Sequence, residues 1–171
     1  GDVYKRQGLH EDVSERIQAQ KELERRERLL NELLEQQTAI FDNAPPIVMV
    51  CDGQFRQFNP AFVDLMGGTA SQLLGLGVSV LFGGTGHADL FTARVTPALA
   101  SGQALRETAT LCRLDGSQFE ARLAGRSVKM DDFGTASIWV IEDVSEQRRA
   151  ERVIQQAQER LELAQEAGKI G

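Results

Sequence analysis

The sequence predicts an α+β module strung between two charged helices, and three observations carry that prediction. The word Glu11-Asp12-Val13-Ser14-Glu15 recurs as Glu142-Asp143-Val144-Ser145-Glu146, an offset of 131 residues. After each copy the seam positions keep a helical 4-3-4-3 spacing: Ala19, Leu23, Arg26, Leu30 and Leu33 after the first, and Ala150, Ile154, Ala157, Leu161 and Ala164 after the second. Between the two copies, Asp52-Gly53 and Asp115-Gly116 each separate β-rich runs, which is the strongest short-range hairpin signal. Repetition at domain scale points to an array of similar modules, of which this chain holds one whole member.

The elements follow in order. A first helix is expected from Ser14 to Asp42, with the seam Ala19, Leu23, Arg26, Leu30, Leu33, Gln37 and Ile40. That is a coiled-coil seam whose polar members Arg26 and Gln37 weaken association but set register. The same pattern also suits a single exposed amphipathic helix, and both readings stand. Asp12 with Glu15, and Asp143 with Glu146, form capping pairs: the Asp accepts from free backbone N–H groups and the Glu suits the positive helix end, with Ser14 and Ser145 as alternative caps. Leu9 and His10 read as the end of a last strand of a preceding module.

Ala44-Pro45-Pro46 ends the first helix, because proline removes a donor and restricts its predecessor. Ile47 to Cys51 reads as a buried strand, Asp52-Gly53 as a tight turn, and Gln54 to Phe58 as the second strand. Asn59-Pro60 supplies an N-cap and a first helical residue for a short helix carrying Ala61, Phe62, Leu65 and Met66, stopped by Gly67-Gly68. Ser71 to Leu74 makes a further helical turn closed by Gly75. Gly83 to Gly86 is a loop, and His87 to Ala100 is helical, kinked near Pro97.

Leu105 to Leu114 and Ser117 to Lys129 form the second hairpin. A two-residue turn there pairs Leu114 with Ser117, Cys112 with Phe119, Thr110 with Ala121 and Thr108 with Leu123, all on one face, and puts Leu111, Glu120, Ala109 and Arg122 on the other. The last strand, Ala136 to Asp143, is apolar on both faces at Ile138-Trp139-Val140-Ile141, so both faces are covered. The module's own helices supply one cover, and the first helix or a partner chain the other.

Composition narrows the function. The apolar fraction of 42% supports a small core, and a net charge of −6 with interspersed basic residues argues against nucleic acid. Cys51 and Cys112 have no metal or redox spacing and read as buried thiols of a reducing compartment. The longest apolar stretches, near 44–51 and 73–82, are too short or too glycine-broken to cross a bilayer. A cytoplasmic segment is the expectation, in a longer protein that other parts could anchor to a membrane. The chain starts without Met, and residues 1–7 resemble translated adapter sequence, so they are expected to be foreign to the protein.

Chemistry is sparse. Gly83-Gly84-Thr85-Gly86 lacks the Gly-Lys-Ser/Thr ending of a phosphate loop. The acids are scattered, no pair spans a cleft, and general acid–base catalysis has no candidates. The helices over 14–42 and 147–171 hold no histidine for a phosphoacceptor site. No catalytic, cofactor-binding or metal-ligating residue is assigned.

The motifs Ile40-Phe41-Asp42-Asn43-Ala44-Pro45, Phe58-Asn59-Pro60-Ala61-Phe62 and Leu114-Asp115-Gly116-Ser117, in that order, followed by a last strand that runs into Asp143-Val144-Ser145-Glu146, resemble a PAS domain with its C-terminal PAC segment. The resemblance covers about residues 39–147, the flanks resemble inter-PAS signalling helices, and 161–171 resembles the start of a further PAS domain. It implies this division: 1–13 as the end of a preceding module, 14–42 as a connecting coiled-coil helix, 43–146 as the PAS domain, and 147–171 as the connecting helix onward.

The resemblance further implies a five-stranded antiparallel sheet with short helices on one face, cradling a small-molecule pocket in a bacterial sensor. Adjacent PAS domains and a histidine kinase or cyclic-di-GMP output domain are the implied neighbours, and a homodimer through the flanking helices the implied assembly. Candidate pocket residues are Val48, Val50, Phe58, Phe62, Met66, Leu81, Phe91, Thr110, Cys112 and Phe119. Asp143, Val144, Ser145 and Glu146 would relay a change of pocket state to the output helix. No cofactor is specified: the stretch Leu73 to Leu81 lacks the adduct-forming cysteine of flavin photoreceptors, His87 is a poor match to a haem ligand, and Trp139 reads as a packing residue. The rival readings are a ligand-free dimerisation spacer, and a piece of a kinase or diguanylate cyclase whose catalytic part lies elsewhere.

Overall fold

The computed structural model describes the backbone of residues 2–132 and 134–170, and side chains over 11–132 and 134–169. It divides into two units, Gly1–Asn43 and Ala44–Gly171.

The first unit is one helix, α1, Asp2–Asn43. The expected start at Ser14 is therefore corrected, and so is the strand end at Leu9 and His10. The helix satisfies the backbone N–H and C=O groups of this segment within itself. Nothing between 11 and 15 breaks the helix, so Asp12 and Ser14 cap no N-terminus. His10 falls inside α1, contrary to a helix without histidine, and its side chain lies outside the described ones. The reading of residues 1–7 as foreign also concerns side chains outside the described ones. Leu23, Leu30, Leu33 and Ile40 of the seam are all exposed.

The second unit contains β1 (Ile47–Cys51), β2 (Gln54–Phe58), α2 (Pro60–Met66), α3 (Ala70–Leu73), a 3₁₀ turn (Val78–Phe82), α4 (Thr85–Ala100), β3 (Leu105–Cys112), β4 (Gln118–Met130), β5 (Gly134–Asp143) and α5 (Ser145–Ile170). The strands form one antiparallel sheet in the order β2-β1-β5-β4-β3. The first hairpin turns on Asp52 (φ 51°) and Gly53 (φ 72°), the left-handed pair that a two-residue turn requires.

Asn59 explains how α2 starts. Its Oδ1 accepts from the N–H groups of Ile47 (2.9 Å) and Phe62 (3.1 Å), and its Nδ2 donates to the Pro45 carbonyl (2.9 Å). One fully buried side chain thus caps α2 and pins the start of β1. At the other end of α2, Arg113 Nε donates to the Leu65 carbonyl (3.1 Å) and the Leu114 N–H to the Met66 carbonyl (3.0 Å). The β3–β4 turn therefore satisfies carbonyls that a helix end leaves free.

That turn corrects the expected register. Arg113 pairs with Ser117, Gly116 N–H donates to the Arg113 carbonyl, and Gly116 has φ 85°. The loop has three residues, 114 to 116, ending on a left-handed glycine, and not two. Leu111 consequently faces Phe119, Ala109 faces Ala121 and Thr110 faces Glu120. A one-residue slip moves every side chain to the other face. Leu111, Phe119, Ala121 and Leu123 share the core, and Thr108 and Thr110 are exposed.

One smaller correction concerns residues 83–86. Gly83 and Gly84 cap the 3₁₀ turn and α4, while Thr85 and Gly86 already belong to α4, so the loop is shorter than expected. Pro97 lies inside α4, one turn from its end at Ala100.

Candidate functional site

A cavity of about 430 Å³ lies between the sheet and α4. Val48 and Val50 of β1, Leu111 of β3, Leu123 and Ser127 of β4, and Ser137, Trp139 and Ile141 of β5 line the sheet side. Phe91, Thr92, Val95, Thr96 and Leu99 of α4 and Val78, Leu81 and Phe82 of the 3₁₀ turn line the other. Asp52, Gly53, Thr92, Thr96 and Thr135 are exposed and mark the open side. Phe82, Phe91 and Trp139 form a continuous aromatic wall, with centroid separations of 4.9 and 5.7 Å. Gly125 makes room for it: a Cβ there would sit 2.4 Å from the Trp139 ring.

Polar groups in the lining are few. Trp139 Nε1 donates to Ser137 Oγ (2.9 Å), and Ser127 Oγ donates to the Leu99 carbonyl (2.9 Å). Thr96 Oγ1 donates to the Thr92 carbonyl (2.6 Å). Among the described residues Asp52 is the one charged member of the lining.

The strand that walls the cavity leads straight to α5. Asp143, two residues beyond Ile141, ends β5; its Oδ1 accepts from the Ser145 N–H (3.0 Å) and its Oδ2 from Arg113 Nη2 (2.6 Å). Ser145 Oγ in turn accepts from the Glu120 N–H (2.9 Å), which ties the first residue of α5 to β4. Val144 is buried and its N–H donates to the Glu120 carbonyl. The Glu120 carboxylate meets Arg148 and Arg152, one turn apart on α5. Arg113 lies over the Phe119 ring, 4.6 Å from its centroid. Burial pushes the Asp143 carboxyl up, but hydrogen bonds from Ser145 and the Arg113 charge outweigh it and hold the carboxyl below its ordinary range. Glu120 is lowered chiefly by its hydrogen bond from Arg152.

Residues 45–146, more than half of the chain, match the sequence profile of the PAS domain. The chain belongs to the PAS domain family. Solved PAS domains share the fold at low identity. The PAS domain of an HTR-like protein from Haloarcula marismortui is 20% identical, with 70% of this chain and 98% of that one covered and a TM-score of 0.60. The PAS domain of a LuxR-family transcriptional regulator from Burkholderia thailandensis, solved with ethanol, is also 20% identical, with 63% and 96% covered and a TM-score of 0.56. A domain of a sensory box sensor histidine kinase/response regulator from Geobacter sulfurreducens is 24% identical, with 64% and 95% covered and a TM-score of 0.50. No curated protein matches the sequence.

Within this PAS fold the candidate residues separate. Val48, Val50, Leu81 and Phe91 line the cavity. Phe62 and Met66 are fully buried on α2, with Phe62 against Phe55 and Phe58, and none of these reaches the cavity. Phe119 is core under Arg113. Thr110 is exposed, because the true register turns it outward, and Cys112 is half-buried near Gly83. His87 is exposed and outside the lining. Ser127, Ser137, Trp139 and Leu99 were missed. The alternation of β4 and β5 carries the signal for the first three, but reading it requires the sheet order. Arg113 was missed too, and no local signal marks it. Among the described residues no cluster of three or more His, Cys, Asp or Glu is placed to hold a metal. Nor is any described helix long and apolar enough to cross a membrane.

Proposed function

We propose that this PAS domain is a sensory and relay module of a longer cytoplasmic signalling protein, coupling the state of its cavity or of a partner to α5. The observation that carries this reading is the double duty of β5. Ser137, Trp139 and Ile141 wall the cavity, and Asp143 anchors the first turn of α5. A ligand biases such a junction only by binding its two states with different affinity. Asp143, Val144, Ser145 and Glu146 are the relay, a PAC-type ending to the domain. Arg113 extends it to the end of α2 through the Leu65 carbonyl. The unpaired thiols Cys51 and Cys112 fit a reducing compartment.

Homodimerisation through the flanking helices belongs to the same reading. Leu23, Leu30, Leu33 and Ile40 on α1, and Ile154 and Leu161 on α5, expose apolar side chains in register with the 4-3-4-3 seams. Those side chains also favour the rival reading, a dimerisation spacer with no ligand. A neighbouring kinase, diguanylate cyclase or further PAS domain fits either.

The test is native mass spectrometry with an absorption spectrum, followed by hydrogen exchange over residues 143–150 before and after any occupant is removed. The sensory reading expects a bound small molecule and a change of protection in that stretch. An empty dimer favours the spacer. An occupant whose removal leaves the protection unchanged sinks the relay.

A further inference from the structure

We infer that the cavity takes an electrically neutral, mainly apolar small molecule carrying a hydrogen-bond acceptor, such as a ketone or ester, with the Ser137 hydroxyl as its donor. The inference rests on the sensory reading of the cavity and specifies the ligand's chemistry.

The charge of the lining selects a neutral occupant. Among the described residues the lining has no Lys, Arg or His, so a carboxylate or phosphate would leave water with no cation there to meet it. The one charged residue, Asp52, stands at the exposed edge, where it repels an entering anion. An ammonium would meet ring faces at Phe82, Phe91 and Trp139, but a primary ammonium needs hydrogen-bond acceptors or a carboxylate beside it once out of water, and Asp52 is at the exposed mouth. The cavity's volume is in the range of small-molecule sites.

The inner hydroxyl groups select the acceptor. Thr92, Thr96 and Thr135 lie at the exposed edge, which leaves Ser127 and Ser137 as the inner hydroxyls. The Ser127 proton is committed to the Leu99 carbonyl. Ser137 Oγ already accepts from Trp139 Nε1, so its own proton remains to be donated. A polarised donor beside an aromatic wall suits a carbonyl group attached to an apolar body.

Octan-2-one, octanoate and octylammonium share a chain length and differ in charge. Each is titrated into the purified chain, with binding read from the emission of Trp139, the single tryptophan, and from calorimetry. The ketone is expected to saturate, with each ion at least about tenfold weaker. Ser137→Ala is expected to weaken the ketone about five- to tenfold by calorimetry, while Ser127→Ala changes it less than about twofold. Circular dichroism and thermal melting verify that both variants are folded. An ion that binds as tightly as the ketone overturns the neutral class. Unchanged ketone affinity in Ser137→Ala overturns the donor assignment. Absence of binding by all three up to millimolar concentration overturns the ligand-cavity reading itself.

Discussion

Arg113 Nη2 lies 2.6 Å from Asp143 Oδ2, joining the β3–β4 turn to the last residue of the strand that feeds α5. The pair is partly shielded from solvent, with side-chain exposures of 27% and 31%. Arg113 uses the rest of its fork on the Leu65 carbonyl and its face on Phe119. A planar guanidinium satisfies all three partners at once, and a lysine ammonium does not.

Removing Asp143 tests the junction. Asp143→Ala loses both the Arg113 pair and the acceptor for the Ser145 N–H, and is expected to cost about 1–2 kcal/mol in urea unfolding. Arg113→Lys keeps the charge but is expected to destabilise as well, because the Leu65 and Phe119 contacts need the guanidinium. A lysine variant as stable as the parent would show that charge alone matters.

Acid should weaken the domain through the same residues. Asp143, Glu120 and Asp115 are all held below their ordinary values: Asp143 by Ser145 and Arg113 against burial, Glu120 by Arg152 and Asp115 by Ser117. A depressed carboxyl binds fewer protons folded than unfolded, so its stabilisation is present above the unfolded value. It is lost as pH falls from about 4 through the lower folded value. Unfolding free energy measured across that range should drop, and Asp143→Asn should flatten part of the slope. A slope unchanged by Asp143→Asn would remove Asp143 from the linkage.

Gly125→Ala should disturb the cavity wall. The new Cβ would sit 2.4 Å from the Trp139 ring, on the strand paired with it. The expected result is a loss of about 1–3 kcal/mol and a shifted Trp139 emission. Emission and stability equal to the parent would mean the ring has room to move.

Asn59→Ala should be costly for one small side chain. It strands the Ile47 N–H and the Pro45 carbonyl next to a fully buried site and leaves the Phe62 N–H only its bond to the residue-59 carbonyl, and roughly 2–3 kcal/mol is expected from denaturant unfolding. Asn59→Ser, which keeps a short capping acceptor, should recover part of the loss.

Breaking the proposed dimer seam should be nearly silent for the fold. Leu30→Asp and Leu33→Asp fall on exposed positions of α1, so ultracentrifugation should report a shift toward monomer while the PAS domain melts as before. An unchanged sedimentation coefficient would take the seam out of the assembly.

Much of the fold was legible where one residue type has one local job. Asp52-Gly53 demanded the left-handed pair of its turn, Asn59-Pro60 marked a helix start, and Gly67 marked its end with φ 75°. The second hairpin was read with the right residues and the wrong loop length. Asp115-Gly116 fits a two-residue and a three-residue turn equally well, and the choice came from Leu114 and Arg113 docking on the end of α2. That single residue of register turned Thr110 and Cys112 away from the cavity and brought Leu111 to it.

The repeated word separates what sequence alone determines from what only the tertiary structure decides. Glu11 to Glu15 and Glu142 to Glu146 are the same five residues, and the helical spacing after each was readable directly because it is a local periodicity. The first copy lies inside α1, and the second closes β5 and opens α5. In the second, β4 supplies the Glu120 N–H and carbonyl, and the β3–β4 turn supplies Arg113. In the first, the backbone of the word satisfies itself as helix. Local chemistry specifies a segment that can cap a helix. Whether it does depends on partners brought from elsewhere in the chain, because a backbone group bonds to whichever donor or acceptor the fold delivers.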